Sequence, residues 1–353
     1  MYDKHHKTMF NNIGGLIKYW HVIALSSELK EGKSLKRNLY HVPVLIWRDK
    51  ALKIHALLDV CSHKKAPLEV CDFAQNHVLC QYHGWKYNDE GRLIDIPSSQ
   101  HLIHKMKCKV DNYPIIEQNG FIWIYLDTEN IPTTSPETLS EVSDENWKHY
   151  QTSMLFETNE ELLIENFMDA THTPTVHDKL IRDNDKKVKH SIKITQTSET
   201  VHVGYAETNE KIGLGLDWML GGNLTVSHTD EFLMPNLVRV NYYINKIHRF
   251  QAFIACTPLQ DGKTIAFVRL SFQFKWFNKL IKLVIPFLAK KVLKQDFIIT
   301  QKQFANMQIF KDKPDQNIDY DAMHNKVKKI RNNKINNLPT SDETTTQQID
   351  LTL

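Results

Sequence analysis

Two short pairs of metal-ligand residues restrict this chain more than any other feature. Cys61 and His63 form C-x-H and, sixteen residues later, Cys80 and His83 form C-x-x-H. The chain has only five cysteines in 353 residues, and two of them are used here, each closely followed by a histidine. Both pairs fall in turn-prone stretches between strand-like segments, so two loops can pinch one object. Two thiolates and two neutral imidazoles suit a tetrahedral structural zinc. They also suit a two-iron, two-sulfide cluster with the cysteines on one iron and the histidines on the other, a ligand set that raises the reduction potential above that of an all-cysteine ferredoxin. Common zinc fingers pair like with like, whereas each pair here is mixed. Gly84 and Trp85 add a tight backbone and an apolar shield, and Ala66-Pro67-Leu68 stiffens the other loop. These features favour the cluster.

Composition sets the outer limits. Hydrophobic residues make up 41% and charged residues 24%, the balance of a soluble globular protein. A net charge of +3 gives no argument for a nucleic-acid partner. An odd, sparse cysteine count points to a reducing cytoplasm rather than a secreted disulfide scaffold. The N-terminus lacks an apolar core of signal-peptide length, and no apolar run is long enough to predict a spanning helix. Trp276–Lys294, "WFNKLIKLVIPFLAKKVLK", mixes bulky apolar residues with five lysines and Pro286. Either it packs its apolar side on its own domain with lysines in solvent, or it makes a peripheral contact with an anionic membrane. The segments divide into an N-terminal stretch 1–17, a small all-β domain 18–128, a polar linker 129–146, an α+β domain with an antiparallel sheet 147–332, and a loose polar tail 333–353. A last helix is predicted over Leu288–Met307.

The second half carries its own constellation, "ENFMDATHTPTVH". At about 100° per residue, Asn166, Asp169 and His172 share one helix face, whereas His177 does not. Pro174 disfavours helix at Thr173 and ends or bends it there, letting His177 swing back toward His172. Two histidines and one carboxylate make the facial triad of a non-haem iron site. Asp169 suits a supporting role, hydrogen-bonded to His172 and fixing its tautomer. The anionic ligand is then expected from elsewhere: Asp296, a lone carboxylate before Phe297-Ile298-Ile299, or its rival Asp217 in "GLDWML". Asn166 reads either as a supporting polar group or as a plain solvated one. Tyr205, Trp218, Met234 and Phe253 read either as lining of an apolar pocket or as ordinary core.

"CSHKKAPL…CQYHGWKYNDEGRLIDIP" resembles the Rieske domain of the Rieske non-haem iron oxygenases, departing from the common pattern at Ser62 and Lys64-Lys65. "ENFMDATHTPTVH" and "QDFIITQ" are similar to that family's catalytic segments, so the resemblance covers about residues 18–310, and it looks most like the vanillate demethylase and pheophorbide oxygenase type. The resemblance implies an all-β [2Fe-2S] domain followed by a helix-grip catalytic domain. It implies that Cys61, His63, Cys80 and His83 hold the cluster, that His172, His177 and Asp296 hold one Fe(II), and that Asp169 and Asn166 serve catalysis. It further implies a homotrimer in which Asp169 of one copy meets His83 of the next. The activity implied is that of a terminal oxygenase, using O2 to hydroxylate, demethylate or desaturate a small apolar substrate. No flavin or nicotinamide fingerprint is present, so a separate reductase or ferredoxin is the expected electron donor. The alternatives are an electron carrier with the cluster alone and a zinc-stabilised binding module.

Overall fold

The computed structural model describes residues 13–178, 180–181, 188–208, 224–339 and 343–352. The chain divides into two compact units, Met1–Thr138 and Leu139–Leu353.

The first unit is all β among its described residues. Its strands are β1 (Trp20–Leu25), β2 (Lys33–Leu39), β3 (Val42–Arg48), β4 (Ile54–Leu58), β5 (Leu68–Asp72), β6 (His77–Cys80), β7 (Lys86–Tyr87), β8 (Leu93–Asp95), β9 (Ile115–Gln118) and β10 (Phe121–Tyr125). They form three sheets of order β2-β3-β4, β1-β10-β9 and β5-β6-β7-β8. The aromatic and β-branched run of β10 is buried along its whole length, as a strand covered on both faces requires. Asn119 and Gly120, both at positive φ, make the tight turn that pairs it with β9. Trp47, Leu57, Leu68, Val78 and Tyr87 form one apolar cluster with Cys61, Cys80 and Trp85. That core backs the loop between β4 and β5 and the loop between β6 and β7, which carry the two mixed pairs.

The second unit is built on one antiparallel sheet of eight strands. It comprises β11 (Lys148–Phe156), the helices α1 (Glu160–Met168) and α2 (Thr173–Val176), β12 (Lys189–Gln196), β13 (Thr200–Tyr205), β14 (Val226–Leu233), β15 (Leu237–Ile244), β16 (Ile247–Gln260), β17 (Lys263–Phe272), α3 (Asn278–Ile309), α4 (Ala322–Ile335) and β18 (Thr345–Thr352). The sheet order is β11-β17-β16-β15-β14-β13-β12-β18. An all-β unit followed by a large antiparallel sheet with helices is the fold class expected from sequence.

Two elements differ from expectation. The helix expected to be the last begins ten residues before Leu288, keeps Pro286 inside it, and is followed by a further helix, α4. The other segment is the C-terminal one, expected to be loose, where Thr345–Thr352 pairs antiparallel with β12 as the edge strand. Edge pairing is made by backbone groups, so a polar run such as TTQQIDLT can supply it while only Ile349 and Leu351 turn partly inward. No helix among the described residues is long and apolar enough to cross a membrane.

Candidate metal centres

The two loops of the first unit have matching backbones. Cys61 N–H donates to the Ala66 carbonyl and Cys80 N–H to the Trp85 carbonyl, each at 2.8 Å. Lys65 N–H returns to the Cys61 carbonyl at 2.9 Å and Gly84 N–H to that of Cys80 at 3.0 Å. The residue four after each cysteine is left-handed, Lys65 at φ 61° and Gly84 at φ 71°. Glycine takes that conformation without strain, and a Cβ on Gly84 would also press on Pro97 at 3.2 Å. Two loops of one shape thus present two cysteines and two histidines to each other.

Both cysteines are buried and both histidines exposed. The His63 and His83 rings face each other at 4.8 Å between centroids, and Trp85 stacks on His63 at 4.5 Å and 4°. The Tyr87 hydroxyl lies 3.1 Å from Cys61 Sγ and 2.9 Å from Ser62 Oγ. Burial pushes the Cys61 thiol up, and the Tyr87 bond works against it. Desolvation first, then the nearby His83, lowers His63 from its ordinary value. A buried Cys61 thiol that resists ionising on its own, set beside a second buried cysteine and two histidines, fits a bound metal centre that displaces the thiol proton.

In the second unit the predicted single helix is broken. Asn159 caps α1, accepting from Leu162 N–H at 2.9 Å, and the helix ends at Met168. Asp169 is the reason: its Oδ1 accepts from both the N–H and the hydroxyl of Thr171, each at 2.6 Å, a local turn that competes with helix. Pro174 therefore does not end a helix. It lies in the first turn of α2, where its missing N–H has no cost. His172 and His177 flank α2 as its two caps, so one short turn brings them together.

The Nε2 atoms of His172 and His177 are 3.2 Å apart, and Asp296 Oδ1 lies 3.0 Å from His177 Nε2 and 3.5 Å from His172 Nε2. Three donors bound at right angles, about 2.1 Å from a metal, would lie about 3.0 Å from one another. Asp296 is fully buried, and its Oδ1 has no partner of proper hydrogen-bond geometry among the described residues. Three convergent donor atoms, on two buried side chains and one half-buried, fit a divalent cation. Burial alone would push Asp296 up, but the two imidazoles outweigh it and bring the carboxyl down to about 2. Burial alone would lower His177; Asp296 and then Gln295 reverse that, and it is raised.

Gln295, which sequence reasoning missed, accepts from His177 Nδ1 through Oε1 at 3.0 Å. Neighbouring residues of α3 thus hold both nitrogens of one ring, leaving Nε2 unprotonated for the metal. Asp169 does not support His172, whose Nδ1 has no hydrogen-bond partner among the described residues. Asn166 accepts Asp169 N–H on its backbone oxygen, and its buried side-chain Nδ2 has no partner among the described residues. The rival ligand Asp217, and Trp218, lie outside the described residues.

A cavity of about 460 Å³ opens on the triad. The two-residue period of strands sets its floor: Val226, His228 and Asp230 on β14, Val240, Tyr242 and Ile244 on β15, Phe250, Ala252 and Ile254 on β16, Val268 and Leu270 on β17. Register aligns them, with His228 opposite Tyr242 and Tyr242 opposite Phe250. Helix α3 forms the other wall, from Leu280 to Asp296. No lysine or arginine lines the cavity among the described residues. Tyr205, Met234 and Phe253 are buried outside it, so they belong to the core. His228, which sequence reasoning missed, is part of the floor, stacked on Tyr205 at 3.6 Å. The available signal was two polar residues, His228 and Asp230, on the inward side of one strand.

The family model for the Rieske [2Fe-2S] domain matches residues 19–114. The model for the vanillate O-demethylase oxygenase C-terminal domain matches residues 156–337, just over half of the chain. The chain belongs to the Rieske oxygenases. The family's cofactors, a [2Fe-2S] cluster and a mononuclear non-haem iron, are those of this chain. Among curated relatives of the family, the iron-sulfur subunit of the toluene-4-sulfonate monooxygenase system of Comamonas testosteroni is 29% identical over 45% of this chain and 45% of its own length. Chlorophyllide a oxygenase of Oryza sativa subsp. japonica is 21% identical over 83% of this chain and 52% of its own. The chain thus spans about half the length of these relatives. The fold is also that of the crystal structure of dicamba monooxygenase bound to dicamba, with a TM-score of 0.73 at 18% identity, covering 91% of this chain and 98% of that one.

Proposed function

We propose that this chain is the terminal oxygenase component of a Rieske non-haem iron system, taking electrons from a separate reductase or ferredoxin and using O2 to hydroxylate, demethylate or desaturate an uncharged apolar substrate. The observation that carries the reading is the convergence of His172, His177 and Asp296 at the end of a cavity with no lysine or arginine in its lining among the described residues. Cys61, His63, Cys80 and His83 would hold the cluster, and the triad would hold Fe(II). When bound, these groups supply one-electron transfer and O2 chemistry. The protein's own part is to bind, orient and exclude water. The apolar floor on β14–β17 and the inner side of α3 displace water from around the substrate. Gln295 keeps a proton on His177 Nδ1 and off Nε2. Asp169 is the positioning carboxylate assigned to link the two centres through a neighbouring copy of a homotrimer, with Asn166 beside it. The segment 276–294 is assigned a peripheral membrane contact.

Metal analysis of the anaerobically loaded chain tests the reading. The expected result is about three irons and two acid-labile sulfides per chain, with one iron lost and the cluster spectrum kept in Asp296→Ala. Two irons in the parent, or three in the variant, would refute it.

A further inference from the structure

Helix α3 is apolar on more sides than its own unit covers. Ile285, Ala289, Leu293 and Asp296 are buried, and Leu280, Ile281, Val284 and Leu288 line the cavity. A third set faces outward: Leu280 is 53% exposed, Leu283 71%, Val284 42% and Phe287 77%, with Trp276 at 93% just before the helix. At about 100° per residue the four helical positions fall within about 100° of arc, a continuous stripe. Leu280 and Val284 belong to both sets. They form the cavity's rim on α3, so the exposed stripe and the cavity's mouth are continuous.

The charges around that stripe are of one sign. Lys275, Lys279, Lys282, Lys290, Lys291 and Lys294 are all exposed, and no aspartate or glutamate occurs from Gly262 to Gln295. A second copy of this chain docking through the same stripe would set lysine against lysine, which like-charge repulsion opposes. An apolar stripe of tryptophan, leucine and phenylalanine edged by lysine matches the acyl boundary and the anionic headgroups of a bilayer.

We propose that Trp276–Lys294 docks on an anionic membrane surface so that the Leu280–Val284 rim meets the acyl layer, and that lipophilic substrate enters the cavity from there. The inference rests on reading that cavity as the substrate site, and it names the source of the substrate. Leu283, Phe287 and Trp276 lie outside the cavity lining, so they can be changed without touching the site.

The experiment uses the full-length, anaerobically loaded protein and phosphatidylcholine vesicles with and without phosphatidylglycerol. Vesicle binding is read by sedimentation without turnover, so it stands or fails separately from the iron count. The expected result is binding that requires phosphatidylglycerol and weakens with salt. Lys290→Glu with Lys291→Glu should lower it by about 25-fold or more, since each lysine contributes about fivefold. Leu283→Ser with Phe287→Ser should lower it at least about tenfold. Bromine-labelled acyl chains should quench an emission component that Trp276→Phe removes. Retention of the mononuclear iron and the far-ultraviolet circular dichroism report that the second unit of each variant is folded. Failure of the parent to bind anionic vesicles, or equal binding by both double variants, overturns the proposal. So does a change in oligomeric mass in the variants with vesicle binding intact, which would make the stripe a contact between copies.

Discussion

Replacing Gln295 with leucine isolates the contribution of a single hydrogen bond to metal binding. In the parent, Gln295 Oε1 at 3.0 Å fixes the proton of His177 on Nδ1, which leaves the Nε2 lone pair directed at His172 Nε2 and Asp296 Oδ1. His177 is almost wholly buried, so water does not replace the lost acceptor. Leaving a buried donor unpaired costs about 1–3 kcal/mol, and the ring escapes that cost by moving its proton to Nε2, toward Asp296. That tautomer cannot bind a metal through Nε2. Loss of such outer partners typically costs 10–100-fold in metal affinity, or about 1.4–2.7 kcal/mol. Competition for the mononuclear iron against a chelator of graded strength measures this directly, with the cluster absorbance as internal reference. Gln295→Leu should release one iron about 10–100-fold more readily with the cluster unaffected. Gln295→Glu, which keeps an acceptor at the same reach, should restore retention. Iron affinity in the leucine variant within about twofold of the parent would refute the tautomer argument.

Other consequences follow from single contacts. Tyr87→Phe removes a hydroxyl 3.1 Å from Cys61 Sγ, and hydrogen bonds to cluster sulfurs stabilise the reduced state; the cluster potential should fall by tens of millivolts in redox titration, and an unchanged value would show that the hydroxyl does not donate to sulfur. Glu165 is pushed up to about 7 by burial first and then by Asp169 and Asp321. A carboxyl raised in the fold contributes stability that is complete below its ordinary value and lost as pH rises through about 7. Glu165→Gln should therefore match the parent in denaturant titration at low pH and exceed it by about 1–2 kcal/mol above neutrality, allowing for partial solvent access. A variant no more stable than the parent at high pH would show that Glu165 carries no buried charge there.

The candidate site was legible wherever chemistry and short-range spacing coincide. Cys61, His63, Cys80 and His83 could be read because a ligand set and its turns lie within one loop each. His172 and His177 could be read for the same reason, although the route between them could not. Asp169 captures Thr171 and ends α1 early, a side-chain bond that helix periodicity does not register. Asp296 stood out because a carboxylate in an apolar run needs a partner. Gln295 did not stand out, since an uncharged polar residue on a half-buried helix needs no such explanation.

The sequence by itself determined which groups can bind metal and that the chain pairs an all-β unit with an antiparallel sheet carrying helices. These properties live in residue type and local period, which are fixed before any folding. Only the tertiary structure decided how β14 to β17 align to make the cavity floor, how α3 divides its surface among core, cavity and solvent, and that Thr345–Thr352 closes the sheet's edge. Register and edge pairing are settled by backbone groups distant in sequence, and a one-residue slip would turn every floor residue to the opposite face.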